Sequence, residues 1–206
     1  LHRILVRRNR IGGRRPRRPR LSGDFGAAGR HAVNIIQPVA AITIAYLLGS
    51  LSGSLLLGKL RGVDIRTLGS GNAGGTNAFR TQGFKFALGV VLIDVGKGAL
   101  AAYAALRFSS PAYLDVLPYV AVMAAVIGHV WPVFHGFRGG KGAATLVGGV
   151  LLLWPMAVLA MVVVWLICLT LTGYVGLSTV VAGFAFLAFS LIDSAPAEVQ
   201  IFAVLV

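Results

Sequence analysis

From Val39 onward the chain carries apolar stretches of a length that no water-soluble core requires. A membrane-spanning helix needs about 20 mostly apolar residues to cross about 30 Å of hydrocarbon, and segments 38–57, 86–107 and 114–134 each satisfy that requirement. The run from Ala143 to Leu171 is longer than one span, and Gly148, Gly149 and Trp154-Pro155 divide it. It reads as a short helix over 143–153, a turn at Pro155 and a span ending near 172. Another apolar helix is expected over 177–192, and a last one opens near 197 and is cut off at Val206. The expected fold is an all-α integral membrane protein with seven hydrophobic helices, the last truncated, joined by Gly-rich cytoplasmic loops. Composition agrees, with 57% hydrophobic and 12% charged residues and a mean hydropathy of +0.83; soluble domains hold roughly 45–50% apolar and about 25% charged residues. Such hydrophobicity excludes a disordered chain. A single cysteine, Cys168, excludes an intramolecular disulfide and a four-cysteine zinc site.

The formal net charge of +13 suggests nucleic acid until its placement is considered. Ten of the 19 basic residues are arginines within 1–30, where Asp24 is the one acid. Gly12, Gly13, Pro16 and Pro19 interrupt any helix there, so 1–37 reads as a basic, disordered N-terminal tail. Binding RNA or anionic lipid is the functional alternative for such a tail. The chain opens on Leu1 and has no methionine before Met123, which favours a non-native tail from a misplaced translation start, and no nucleic-acid partner is expected. No short apolar run with a cleavage site follows the arginines, so a signal peptide is not expected either.

Sidedness follows from the remaining charges, with Arg107, Asp115, Asp193 and Glu198 in the loops of the other face. Lys59, Arg61, Arg66, Arg80 and Lys85 lie in 58–85, and Arg138 and Lys141 in 135–142. Lys and Arg accumulate in cytoplasmic loops, so both segments are expected to face the cytoplasm. Segment 173–178 joins them if 143–171 forms two helices, and lies on the other face if it forms one.

Two of these loops are unusually polar. Residues 69–80 hold four glycines with Ser70, Asn72, Thr76, Asn77 and Arg80. Glycines at Gly69, Gly71 and Gly74 let backbone N–H groups converge on an anion, and a helix resuming near Thr76 would aim its first amides at the same place. In the second loop Arg138 and Lys141 flank Gly139 and Gly140. A flexible turn with surface charges accounts for one such loop; two on one face are better explained as a phosphate site. Gly69-Ser-Gly-Asn-Ala-Gly74 formally fits a dinucleotide-binding GxGxxG, but the required strand is missing and Asp94 falls inside a membrane helix. Gly136-Phe-Arg-Gly-Gly-Lys141 falls one residue short of a Walker loop and lacks the Ser or Thr after the lysine.

Asp94 and Lys97 stand in the apolar run Val90–Leu106, where a charge costs about 2.5–3.5 kcal/mol on insertion scales. At i,i+3 spacing they share a helix face and can pair, either as a structural brace or as catalytic groups, and Lys97 can also snorkel towards water. His129 ends the third span facing the glycine loops, with a side chain suited to proton transfer. His135 reads as a rim residue. Ser178 and Thr179 place hydroxyls at the start of a span, which alone would mean helix capping.

Gly69–Arg80, Gly128–Thr145 and Tyr174–Thr179 resemble the three motifs of the bacterial acyl-phosphate-dependent glycerol-3-phosphate acyltransferases, the PlsY family. The resemblance extends through Tyr46-Leu-Leu-Gly-Ser50 and Asp94-x-x-Lys97-Gly98, covering about 39–206. The third motif departs from the family, which usually has serines where this chain has Gly176 and Thr179. The family also commonly continues into a short basic segment with a histidine and an asparagine, so 38–206 is expected to be a C-terminally incomplete membrane-embedded acyltransferase domain. The resemblance implies a multi-pass inner-membrane enzyme with its active site on the cytoplasmic face. It would transfer a fatty acyl group from acyl phosphate to the 1-hydroxyl of sn-glycerol 3-phosphate, giving lysophosphatidic acid and phosphate. Ser70, Arg80, His129 and Lys141 are then the expected catalytic residues. Gly69, Gly71, Asn72, Gly74, Thr76, Asn77, Arg138, Gly139, Gly140 and Ser178 are the expected phosphate-binding ones. No cofactor or metal is implied, and the proton released by the acceptor has two destinations, His129 and the donor phosphate. The competing function is a transporter or channel for phosphate or a phosphorylated metabolite, built on the same anion sites and broken helices.

Overall fold

The computed structural model describes residues 35–206. The basic tail expected over 1–37 lies outside them except for its last three residues, and of these Ile36 and Gln37 already belong to the first helix.

Among the described residues the fold is all-helical, in nine α-helices. They are α1 (Ile36–Gly49), α2 (Gly53–Leu60), α3 (Gly75–Gln82), α4 (Phe84–Phe108), α5 (Leu117–Val130), α6 (Ala143–Leu153), α7 (Pro155–Thr172), α8 (Val175–Ile192) and α9 (Ala197–Leu205). Four stretches are long and apolar enough to cross a membrane: Phe84–Phe108, Leu117–His135, Pro155–Thr172 and Val175–Ile192. The expected single span over 38–57 is instead two helices, α1 and α2, meeting at a 45° bend. Ser50 and Ser52 mark the break; the Ser50 hydroxyl turns back to the Tyr46 carbonyl at 2.9 Å, and the chain restarts from extended backbone at Ser52. Small serines leave the hydropathy of the run intact, so the break does not show in composition. The short helix expected over 143–153 is present as α6, whose 11 residues reach about 16 Å, roughly half a span. It ends where Trp154 adopts a non-helical backbone and Pro155 takes the first position of α7, a place where a missing N–H costs nothing.

α4 is the axis of the bundle, packing against α1, α2, α3, α5 and α6. With no water to expel between helices in lipid, contact depends on small residues that let backbones approach. A methyl group added at Gly98 of α4 would overlap the Thr145 carbonyl of α6, and one at Gly148 of α6 would overlap the Val95 carbonyl of α4. The α1–α5 seam is built likewise, with Gly49 against Ala125 and Gly128 against Tyr46, backed by buried Ala45, Ala101, Ala121 and Ala124. A second core joins Val122, Val150, Ala157, Phe186 and Phe202 under Trp154, where Phe186 and Phe202 meet edge to face at 5.9 Å. α7 and α8 pack on each other and turn Leu159, Leu166, Ile167, Val180 and Phe184 outward. Such a surface is stable only in an apolar solvent.

Candidate active site

The first glycine loop is folded by one side chain. Asn77, in α3 and 2% exposed, accepts a hydrogen bond from the Ser70 N–H at 3.0 Å through Oδ1. Its Nδ2 donates to the carbonyls of Ile65 (3.1 Å), Leu68 (2.9 Å) and Asn72 (3.1 Å). Gly69 is required on two counts, since its φ is +55° and a Cβ would overlap Asn77 Oδ1. Gly71 is also left-handed, at φ +72°. Farther along, the buried Ser54 hydroxyl of α2 donates to the Ala73 carbonyl at 2.9 Å. α3 opens on Gly74 and Gly75 without a side-chain cap, so its first amides have no side-chain acceptor. Ser70 and Arg80 are exposed, and Asn72 and Thr76 half-buried.

The second loop folds back onto the end of α5. The Gly139 N–H bonds to the Val130 carbonyl at 3.1 Å and the Gly140 N–H to the His129 carbonyl at 3.2 Å. Gly136 and Gly142 are left-handed, and so is Phe137, at φ +59°, an uncommon state for a bulky residue. Tyr46 Oη donates to the Trp131 carbonyl at 2.8 Å, which ties the loop to α1. Arg138 and Lys141 are exposed, while Gly140 is buried.

The loops are joined by Arg66, a residue the sequence presents as one more basic side chain. Asp64 accepts from its Nε at 3.0 Å and from its Nη2 at 2.8 Å. Across the gap Nη1 donates to the carbonyls of His135 (2.8 Å) and Arg138 (3.2 Å). The guanidinium bonded to it holds the Asp64 carboxyl below its ordinary range, and Asp64 in turn holds Arg66 above its own. At this junction Arg66 and Arg138 act on one acid, Asp64, while Arg61 lies over the Phe86 ring. The third segment arrives at Lys141: a Cβ at Gly176, in the first turn of α8, would lie 3.6 Å from Lys141 Nζ. Ser178, expected among the phosphate ligands, is fully buried and donates to the Tyr174 carbonyl at 2.9 Å. Asn77 and Ser178 therefore serve their own backbone, an allocation that spacing alone does not reveal.

Beneath the loops lies a buried polar cluster. Lys97 Nζ is 3.0 Å from Asp94 Oδ1 and 2.8 Å from His129 Nδ1, and His129 Nδ1 is 3.4 Å from Asp94 Oδ1. Lys97 is 6% exposed: it points inward, and the expected snorkelling does not occur. Lys97 Nζ also lies 2.8 Å from the Gly49 carbonyl and 3.0 Å from that of Leu51, and His129 Nε2 faces Gly140. Among the described residues no three His, Cys, Asp or Glu gather as metal ligands.

Apolar helices around a basic, glycine-lined junction define an integral membrane protein whose polar chemistry sits in its loops. The sequence model described as Glycerol-3-phosphate acyltransferase matches residues 39–206. The glycerol-3-phosphate acyltransferase of Chlorobaculum parvum is 45% identical over 157 residues, which cover 72% of this chain and 68% of that protein. That of Chlorobaculum tepidum is 44% identical over the same length. The crystal structure of PlsY (YgiH), an integral membrane glycerol 3-phosphate acyltransferase, in its glycerol 3-phosphate form superposes with a TM-score of 0.76 at 34% identity. The match covers 82% of this chain and 83% of that one. The chain belongs to the glycerol-3-phosphate acyltransferase family, and within it to the PlsY type of integral membrane enzyme.

Proposed function

We propose that this protein transfers a fatty acyl group from acyl phosphate to the 1-hydroxyl of sn-glycerol 3-phosphate at the cytoplasmic face of a bacterial inner membrane. The products are lysophosphatidic acid and inorganic phosphate. What carries the proposal is Arg66 joining two glycine loops into one cationic junction, a setting suited to two phosphate-bearing substrates at once. That structures of the PlsY relative are described in glycerol 3-phosphate and lysophosphatidic acid forms supports this acceptor and this product.

In the proposed reaction the acceptor hydroxyl oxygen attacks the acyl carbonyl carbon, and the bond from that carbon to the phosphate oxygen breaks. Phosphate is already a good leaving group, so no covalent enzyme intermediate is required. The protein's task is to hold the two reactants in line and to set positive charge where the tetrahedral oxyanion and the departing phosphate develop. Ser70, Arg80 and Lys141 are assigned to those charges. Gly69 and Gly74 are assigned to backbone contacts; Gly71, Gly139 and Gly140, whose N–H groups bond the carbonyls of Leu68, Val130 and His129, are assigned to the shape of the loops, and Asn72, Thr76 and Arg138 to the walls. Asn77 and Ser178 keep the loops in shape. The acceptor's proton goes to an oxygen of the donor phosphate, since His129 is buried with its Nδ1 held against Lys97 and Asp94. The acyl chain lies along the apolar helices, stabilised by about 0.8 kcal/mol per buried CH₂.

The test is incubation of the full purified chain with acyl phosphate and glycerol 3-phosphate while phosphate release is followed. Release that depends on glycerol 3-phosphate, with lysophosphatidic acid as co-product, is expected. Its absence rejects the proposal.

A further inference from the structure

A helix broken inside hydrocarbon leaves backbone groups that water cannot reach. The break between α1 and α2 leaves the carbonyls of Gly49 and Leu51 and the N–H of Gly53, and all three are answered from α4. Lys97 Nζ donates to Gly49 O at 2.8 Å and to Leu51 O at 3.0 Å, while Asp94 Oδ1 accepts from Gly53 N at 3.1 Å. Lys97 Nζ also lies 3.0 Å from Asp94 Oδ1 and 2.8 Å from His129 Nδ1. All three side chains are buried, at 1% exposure for Asp94, 6% for Lys97 and 3% for His129.

The cluster also reaches both glycine loops. α2 begins at the break, and its Ser54 holds the first loop by the Ala73 carbonyl. The carbonyl of His129 receives the Gly140 N–H of the second loop, and a methyl at Gly140 would overlap His129 Nε2 and stand 2.9 Å from the Ala73 carbonyl. The two loops therefore meet at Gly140, each hung from a different end of one buried network.

We propose that Asp94, Lys97 and His129 form a positioning cluster that sets the distance between the two glycine loops by completing the hydrogen bonds of the broken helix. A plain interhelical ion pair can be exchanged for apolar residues at little cost. This one cannot, because its removal strands three backbone groups of the break. The kinetic part of the test rests on the proposed acyl transfer; the exchange part does not.

The experiment compares the full wild-type chain with Lys97→Met and Asp94→Asn in lipid nanodiscs. Steady-state kinetics for glycerol 3-phosphate and amide hydrogen exchange are both measured. Lys97→Met is expected to lose at least tenfold in kcat/KM, mostly through KM, and to exchange faster in 49–54, 69–77 and 136–142 while α7 and α8 stay as in wild type. Asp94→Asn keeps an acceptor for Gly53 N–H and is expected to lose less. Unchanged kinetics with faster exchange confined to 49–54 overturns the proposal, as does unchanged exchange in both loops. If Lys97→Met does not accumulate as folded protein, Asp94→Asn is measured in the same two ways, and the same outcomes support or overturn the positioning role. If wild type releases no phosphate, the acyl-transfer assignment fails, and exchange alone decides the positioning role.

Discussion

Asn77 and Lys141 represent two ways in which a polar residue serves such a site, and their substitutions are expected to separate. Asn77 bonds four backbone groups, and a buried group left unsatisfied costs about 1–3 kcal/mol. Asn77→Ala is therefore expected to lower the thermal midpoint by several degrees and to abolish most turnover, as seen by thermal unfolding and phosphate release on one preparation. Lys141 and Arg80 are exposed and bear no such load. Lys141→Ala and Arg80→Ala are each expected to unfold at the wild-type temperature and to lose about tenfold to thousandfold in turnover, the range found when charge-stabilising donors are removed. A near-normal rate in either variant would remove that residue from the assignment. The sequence pointed to all three residues by type and spacing alike. It could not sort them, because burial and partner decide which amide serves the loop and which cation remains free for substrate.

At the scale of elements, the junction of the loops and the seam between α4 and α6 yield distinct predictions. Arg66→Ala removes the bonds from the first loop to the carbonyls of the second. It is expected to raise KM for glycerol 3-phosphate about tenfold, equivalent to roughly 1.4 kcal/mol, a typical worth for hydrogen bonds to a charged group. The pH response follows from the sign of the Asp64 shift. Its carboxyl is held below the ordinary value of 3.8 in the folded protein, so the unfolded chain binds its proton first as pH falls. The contribution is complete above about pH 4–5 and is lost as pH drops through the folded value. Hydrogen exchange of 61–70 should accelerate across that acid window in wild type and show no such step in Arg66→Ala. The seam responds to volume: Gly148→Leu forces α6 away from the Val95 carbonyl, whereas a Cβ at Gly96 meets nothing within 4 Å. Gly148→Leu is expected to lose monodispersity in detergent, and Gly96→Ala to stabilise by up to about 1 kcal/mol from helix propensity.

For the whole molecule, the contacts among the first loop, the second loop and the start of α8 put Arg66, Arg138 and Lys141 at one end of the bundle, while Arg107 lies in the last turn of α4. Asp115 and Glu198 line a common cavity with Leu106 and Leu153, at the ends of α4 and α6 remote from those loops. Lys and Arg mark the cytoplasmic side, so in a Cys168→Ser background Tyr174→Cys should resist a membrane-impermeant thiol reagent in intact cells and react after lysis. Asp193→Cys should react in intact cells. The reverse pattern would invert the orientation and place the loops outside.

Length and hydropathy along the chain determined the membrane-embedded class, the positions of α4 to α9 and the polar character of the loops, because each depends on side chains close in sequence. The tertiary structure alone decided that the span over 38–57 is broken, that Arg66 fastens one loop to the other, and that Lys97 faces inward to the carbonyls of Gly49 and Leu51. In each case the deciding partners are carbonyl and amide groups dozens of residues away. Every residue carries those groups alike, so no pattern of side chains records which of them will meet.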